Sequence, residues 1–154
     1  MQNRYLFKAK RKDNGEWVEG FYFCMTHTDG RHTHHFIIPL GADLSLGTPV
    51  EKIQVEVDQS TICQCTGLKD KNGNLIWEND IVKDLFSDVC AQIKYGSYQN
   101  CFDSTKTEHV GFYVCWSDKY TKRYRKDLGY WINMVDAKIV GSKIDNPELL
   151  EVQK

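Results

Sequence analysis

Thr66-Gly67-Leu68-Lys69-Asp70-Lys71-Asn72-Gly73-Asn74-Leu75-Ile76-Trp77-Glu78-Asn79-Asp80-Ile81-Val82 decides the fold class, because turn and strand alternate along it with almost no filler. Gly67 and Gly73 are free to take positive φ, and Asn72-Gly73 is a strong two-residue hairpin signal. Leu75-Ile76-Trp77 and Ile81-Val82 are the apolar pieces that such turns connect. The segment is built to bend a sheet back on itself, and we expect a tightly wound small β-barrel around it.

The same alternation continues on both sides. Tyr5-Leu6-Phe7-Lys8-Ala9 leads through the polar turn Lys12-Asp13-Asn14-Gly15 into Trp17-Val18-Glu19-Gly20-Phe21-Tyr22-Phe23-Cys24, a hairpin of two β-prone runs. Residues 26–35 read as a polar loop before the strand Phe36-Ile37-Ile38-Pro39, and 40–49 as a turn-rich break. Ile53, Val55 and Val57 alternate with Gln54, Glu56 and Asp58, the period of a half-buried strand. Thr61–Cys65, Val89–Gly96, Val110–Trp116 and Ala137–Gly141 supply further strands, with Asp84–Asp88 as a turn. Asn146-Pro147 is suited to start one short C-terminal helical turn, and no long helix is expected. The expected class is therefore mainly β: a compact small barrel, SH3-like or related, with an additional N-terminal β-hairpin subdomain and little helix. Residues 1–57 form the N-terminal subdomain and 58–154 the barrel-like core, packed together as one compact unit.

A chain of 154 residues with 41% apolar side chains can bury a real core but not two large independent domains. Its formal charge of −1 gives no global field to hold a polyphosphate backbone, so nucleic-acid binding needs a local patch. The four tryptophans, Trp17, Trp77, Trp116 and Trp131, fall inside or beside β-rich runs. Exposed at Trp116 or Trp131, they would favour self-association. No stretch approaches the ~18–20 apolar residues of a membrane span, and the N-terminus carries no signal-peptide run. The expected location is the cytoplasm of a bacterial host cell, with no membrane partner. In that compartment Cys24, Cys90, Cys101 and Cys115 are expected as reduced, mostly buried thiols.

Three groups of motifs carry a family resemblance. They are Tyr5-Leu6-Phe7-Lys8-Ala9 with Trp17-Val18-Glu19-Gly20; Gln64-Cys65-Thr66-Gly67-Leu68-Lys69-Asp70-Lys71-Asn72-Gly73 with Ile76-Trp77-Glu78-Asn79-Asp80-Ile81-Val82-Lys83; and Ile139-Val140-Gly141-Ser142-Lys143-Ile144-Asp145-Asn146-Pro147-Glu148-Leu149-Leu150. Spread in this order over nearly the full chain, they resemble the YopX family of phage and prophage proteins. The resemblance implies a predominantly β protein with a barrel-like portion, encoded by a phage or an integrated element. It implies no catalytic residues. The histidine-rich loop at 27–35 and the tyrosine-rich basic stretch at 120–126 are where this chain looks least typical.

Three candidate sites remain. In the first, Gly67, Asp70, Asn72, Gly73, Trp77, Glu78 and Asp80 form a structural turn motif whose carboxylates accept backbone N–H groups; a calcium loop would need a Gly and a Glu at positions where this run lacks them. The second is the cluster His27, His32, His34 and His35 near Cys24. On an extended backbone His32 and His34 share a face and His35 points the other way, and Cys63-Gln64-Cys65 offers a second same-face pair for a composite metal site. The expected cofactor is nonetheless none. The third is Lys119, Tyr120, Lys122, Arg123, Tyr124, Arg125 and Lys126, where cations interleave with tyrosines as in loops that hold phosphates and stack bases. No Gly-rich phosphate loop, dinucleotide fingerprint or nucleophile elbow is present. The leading expectation is a non-enzymatic interaction module with a protein partner or a second copy of itself. The alternatives are nucleic-acid binding through 119–126 and a metal-dependent enzyme using the histidine loop.

Overall fold

A computed structural model describes residues 3–43, 45–117, 119–122 and 124–151. The chain divides into two compact units, Met1–Cys65 and Thr66–Lys154. The division falls inside a strand, later than the expected boundary after residue 57.

In the first unit β1 (Phe7–Lys10) and β2 (Trp17–Thr26) form the expected hairpin, paired from Phe7↔Gly20 to Lys10↔Trp17. β3 (Thr33–Pro39) returns along β2 from Thr26↔Thr33 to Gly20↔Pro39. The loop expected over 26–35 is thus shorter, because both strands run on toward its tip. Gly20 is required by packing here: a Cβ at this position would run into the Ile38 carbonyl of the neighbouring strand. The alternation of Ile53, Val55 and Val57 does not become one strand. Pro49, at φ −65°, leads into a helical turn, α1 (Val50–Ile53), leaving only the two-residue β4 (Val55–Glu56) on β3. β5 (Cys63–Lys69) begins against β1 at Lys8↔Cys63. Phe7, Val18, Tyr22 and Val55 pack around buried Ala9, Ile37 and Val57.

In the second unit the latter half of β5 turns back onto β6 (Leu75–Trp77). β7 (Asp80–Lys83), β8 (Cys90–Tyr98), β9 (His109–Cys115) and β10 (Lys138–Ser142) follow. Asn146-Pro147 starts the short α2 (Glu148–Glu151) as expected, with Leu149 N–H donating to the Asn146 carbonyl at 3.2 Å. Ile76, Val82, Ile93, Val114, Trp116 and Trp131 are among the buried residues of the core. Residues 130–134 form a single π turn.

The strands make two antiparallel sheets, ordered β4-β3-β2-β1-β5-β6 and β10-β7-β8-β9. The chain is mainly β, but neither sheet closes on itself among the described residues, so the expected closed SH3-like barrel is corrected to two open sheets. Turn residues such as Asn72-Gly73 specify local reversal. Closure needs an edge-to-edge register and strand tilt that no local turn dictates.

Four of the expected buried thiols divide evenly. Cys90 is buried and Cys115 half-buried, whereas Cys24 and Cys101 are exposed and all are unbridged. Cys24 sits on the face of β2 opposite Phe23, toward the outer end of its hairpin.

Candidate functional site

The central turn motif is held by hydrogen bonds among its own residues. Gly73 adopts φ +84° and Gly67 φ +80°. The hairpin loop spans three residues rather than the two suggested by Asn72-Gly73: Gly73 N–H donates to the Asp70 carbonyl at 3.0 Å and Asp70 N–H to the Asn74 carbonyl at 2.9 Å. The reason is the Asp70 carboxylate, which accepts from the N–H groups of Asn72 at 2.8 Å and Asn74 at 2.9 Å. Those bonds, with the Asn74 backbone foremost, hold the Asp70 carboxyl below its ordinary pKa. In the next turn Trp77 N–H donates to the buried Asp80 carboxylate at 2.8 Å. Half-buried Glu78 lies between them, beside Asn79 in the left-handed region at φ 69°.

His32 and His34 lie on the β2–β3 hairpin, whereas Cys63 and Cys65 are fully buried on β5. β2 and β1 stand between these strands, so the composite His/Cys site is not brought together.

The basic stretch is anchored from within. Trp116 and Trp131, with ring centroids 4.7 Å apart, both donate their indole N–H to the Arg125 carbonyl, at 2.9 and 2.7 Å. Tyr124 packs on Trp116 at 4.7 Å, and Tyr120 packs on Tyr124 at 5.9 Å. The two tyrosines are half-buried against the core, and both tryptophans are buried, so the exposed indole that would favour self-association is absent at Trp116 and Trp131. Lys119, Lys122 and Arg125 are exposed and Lys126 half-buried. Arg123 lies outside the described residues.

Around this anchor opens a cleft of about 480 Å³. Its walls are Trp131 and Tyr130 from the π turn, Val135 just after it, Tyr124 and Arg125 from the basic stretch, and Phe102 from the β8–β9 connection. Asp84 and Phe86 from the β7–β8 turn complete it. Asp84 folds that turn: its carboxylate accepts the Ser87 hydroxyl at 2.8 Å and the Tyr124 hydroxyl at 3.0 Å. Leu85 and Phe86 are thereby thrown outward, Phe86 to 90% exposure, and Phe102 is 63% exposed. Burial, with the facing Asp84, raises the Tyr124 pKa.

The Arg125 guanidinium lies 5.0 Å over the Tyr130 ring and pairs with Asp127 at 2.9 Å. Asp127 also accepts from the Tyr98 hydroxyl at 3.1 Å and from the Asn100 amide at 2.9 Å. Burial alone would raise the Asp127 carboxyl, but the bonds from Arg125, Tyr98 and Asn100 outweigh it and lower its pKa. Burial and the adjacent carboxylate push Tyr98 up to about 12. The charged groups of the cleft are thus engaged with internal partners, while its aromatic rim faces solvent. Chemically this arrangement presents apolar and aromatic surface to solvent around a concavity. Sequence reasoning missed Phe86 and Phe102; the available signal was Leu85-Phe86 set inside the turn Asp84–Asp88, where polar residues are the rule.

The sequence pattern of the family described as YopX protein matches residues 6–151. The chain belongs to the YopX family. Among solved structures, this YopX family chain is similar to protein EF1440 from Enterococcus faecalis, at 22% identity over 94% of this chain and 96% of that one, with a TM-score of 0.49. No curated protein matches it. Among the described residues no helix is long and apolar enough to cross a membrane.

Proposed function

We propose that this YopX family protein is a non-enzymatic interaction module of a phage or prophage, which seats a segment of a protein partner in the aromatic cleft. The observation that carries the reading is the exposure of Phe86 and Phe102 in the lining of a cleft that buried Trp131 also lines. Large apolar side chains held in water around a concavity mark interaction surfaces, and aromatic residues dominate the energy of such contacts. Exposed Lys119 and Lys122 belong to the same basic stretch as the wall residue Tyr124, so the fitting occupant is an acidic segment with an aromatic or large aliphatic anchor. Nucleic acid is supported less well, since Tyr120 and Tyr124 pack inward and Arg125 is paired with Asp127.

Selection from a displayed library of random peptides tests the proposal. Enriched sequences should combine an anchor with acidic neighbours, and their affinity should fall at least about tenfold in the Phe86→Ser/Phe102→Ser variant. Failure to enrich any binder, or equal binding by the variant, would overturn it. So would tighter, salt-sensitive binding of single-stranded oligonucleotides that ignores the two phenylalanines.

A further inference from the structure

The β2–β3 hairpin carries a second chemistry that the cleft does not use. Its ladder extends past Thr26↔Thr33, with His27 N–H donating to the His32 carbonyl at 2.8 Å, so His27 and His32 face each other across the strands. His34 lies two residues beyond His32 and therefore on the same face. The rings confirm this grouping: the His27 centroid is 5.2 Å from that of His34 and 5.9 Å from that of His32. His35 is on the opposite face, where it meets the Tyr22 hydroxyl at 2.7 Å. From these placements we infer that His27, His32 and His34 form a binding site for a late first-row divalent metal ion such as Zn²⁺.

The spacing suits that ion. With Zn–N bonds of about 2.0–2.1 Å and tetrahedral angles, two imidazole rings on one zinc have centroids about 5 Å apart. His27 and His34 already meet that value, and the His27–His32 separation exceeds it by less than 1 Å. Among the described residues no three ligand groups yet converge on one point, so closure takes side-chain rotation. These rings can supply it, because His32 is 70% and His34 43% exposed. The tip beneath them is held by Gly30 N–H on the His27 carbonyl at 2.8 Å and Arg31 N–H on the Asp29 carboxylate at 2.9 Å.

The outer partners fix which nitrogen binds. His34 Nδ1 is 2.9 Å from Glu56 Oε1, and His32 Nδ1 is 3.2 Å from Asp29 Oδ2. A carboxylate facing Nδ1 is placed to accept a proton from that atom, which leaves Nε2 as the nitrogen available to a metal ion. A carboxylate on the far nitrogen is the arrangement that orients metal-binding imidazoles and strengthens them as ligands. Three such ligands leave a fourth position for solvent or a further donor.

Titration of tag-free protein with Zn²⁺ by calorimetry, and with Co²⁺ by absorption, tests the site. A Cys24→Ser/Cys101→Ser background keeps the exposed thiols out of the measurement. One ion per chain is expected, with the visible bands of nitrogen-bound Co²⁺. His27→Ala and His34→Ala should each weaken binding at least about tenfold, and Glu56→Gln by a smaller factor. His35→Ala should leave it unchanged. Binding of less than about a tenth of an equivalent, or equal losses in His35→Ala and His34→Ala, would overturn the inference. His27, His34 and His35 lie toward the partly or fully exposed hairpin end and Glu56 is half-buried on β4, and unaltered circular dichroism will show that each variant folds.

Discussion

Replacing Asp80 with alanine removes the acceptor of the Trp77 N–H from a position that is only 5% exposed. The bond is 2.8 Å long and its acceptor is a carboxylate, so it belongs to the stronger, charge-assisted class. A net contribution of about 1.5–3 kcal/mol is typical for hydrogen bonds to charged groups, and a buried donor left without its acceptor costs about 1–3 kcal/mol. We expect Asp80→Ala to destabilise the Thr66–Lys154 unit by about 2–3 kcal/mol, and Asp80→Asn, which keeps an acceptor oxygen, by about 1 kcal/mol. Urea unfolding followed by tryptophan fluorescence is the assay, because Trp77, Trp116 and Trp131 all belong to this unit and only Trp17 to the other. With an m-value of roughly 1–3 kcal/mol/M, the alanine variant should lose about 1 M in midpoint. A loss below about 0.5 kcal/mol, or equal losses in the two variants, would refute the view that this carboxylate closes the β6–β7 turn.

Gly20→Ala should cost about 1–3 kcal/mol, since the added methyl meets the Ile38 carbonyl in the β2–β3 ladder; urea unfolding followed through Trp17 reads the loss. Phe86→Ser and Phe102→Ser should each change stability by no more than about 0.5 kcal/mol, whereas Trp131→Ala should cost about 3–5 kcal/mol, a contrast visible in thermal melts. The Asp127 carboxyl has a folded pKa below its unfolded value. Its stabilisation is therefore present above about pH 4 and is lost as pH falls through the folded value. Asp127→Asn should accordingly differ from the wild type most at neutral pH and converge with it in acid, as measured by urea midpoints across that range.

The legible part of this fold is the part governed by near neighbours. Gly67, Gly73 and Asp70 mark their turns because positive φ and a carboxylate over backbone N–H groups are local requirements. Asn146-Pro147 announces a helical turn for the same reason. Whether the sheets close was not legible, because closure depends on pairing between strands remote in sequence. The fate of Tyr120 and Tyr124 was equally hidden: their interleaving with cations suggests stacking platforms, and only the positions of Trp116 and Trp131 reveal that they face inward. The face shared by His32 and His34 follows from strand period alone. His27 joins them only through the cross-strand register, which no pattern in residues 26–35 specifies.

The most direct test of the aromatic cleft as an interaction site is a heteronuclear NMR titration with a peptide selected on the wild-type protein. The Trp131 indole N–H should shift, along with backbone signals at 84–86, 100–102 and 124–135, and signals of the 69–75 hairpin should stay still. Shifts concentrated on that hairpin, or a Trp131 signal unmoved at saturation, would contradict the account.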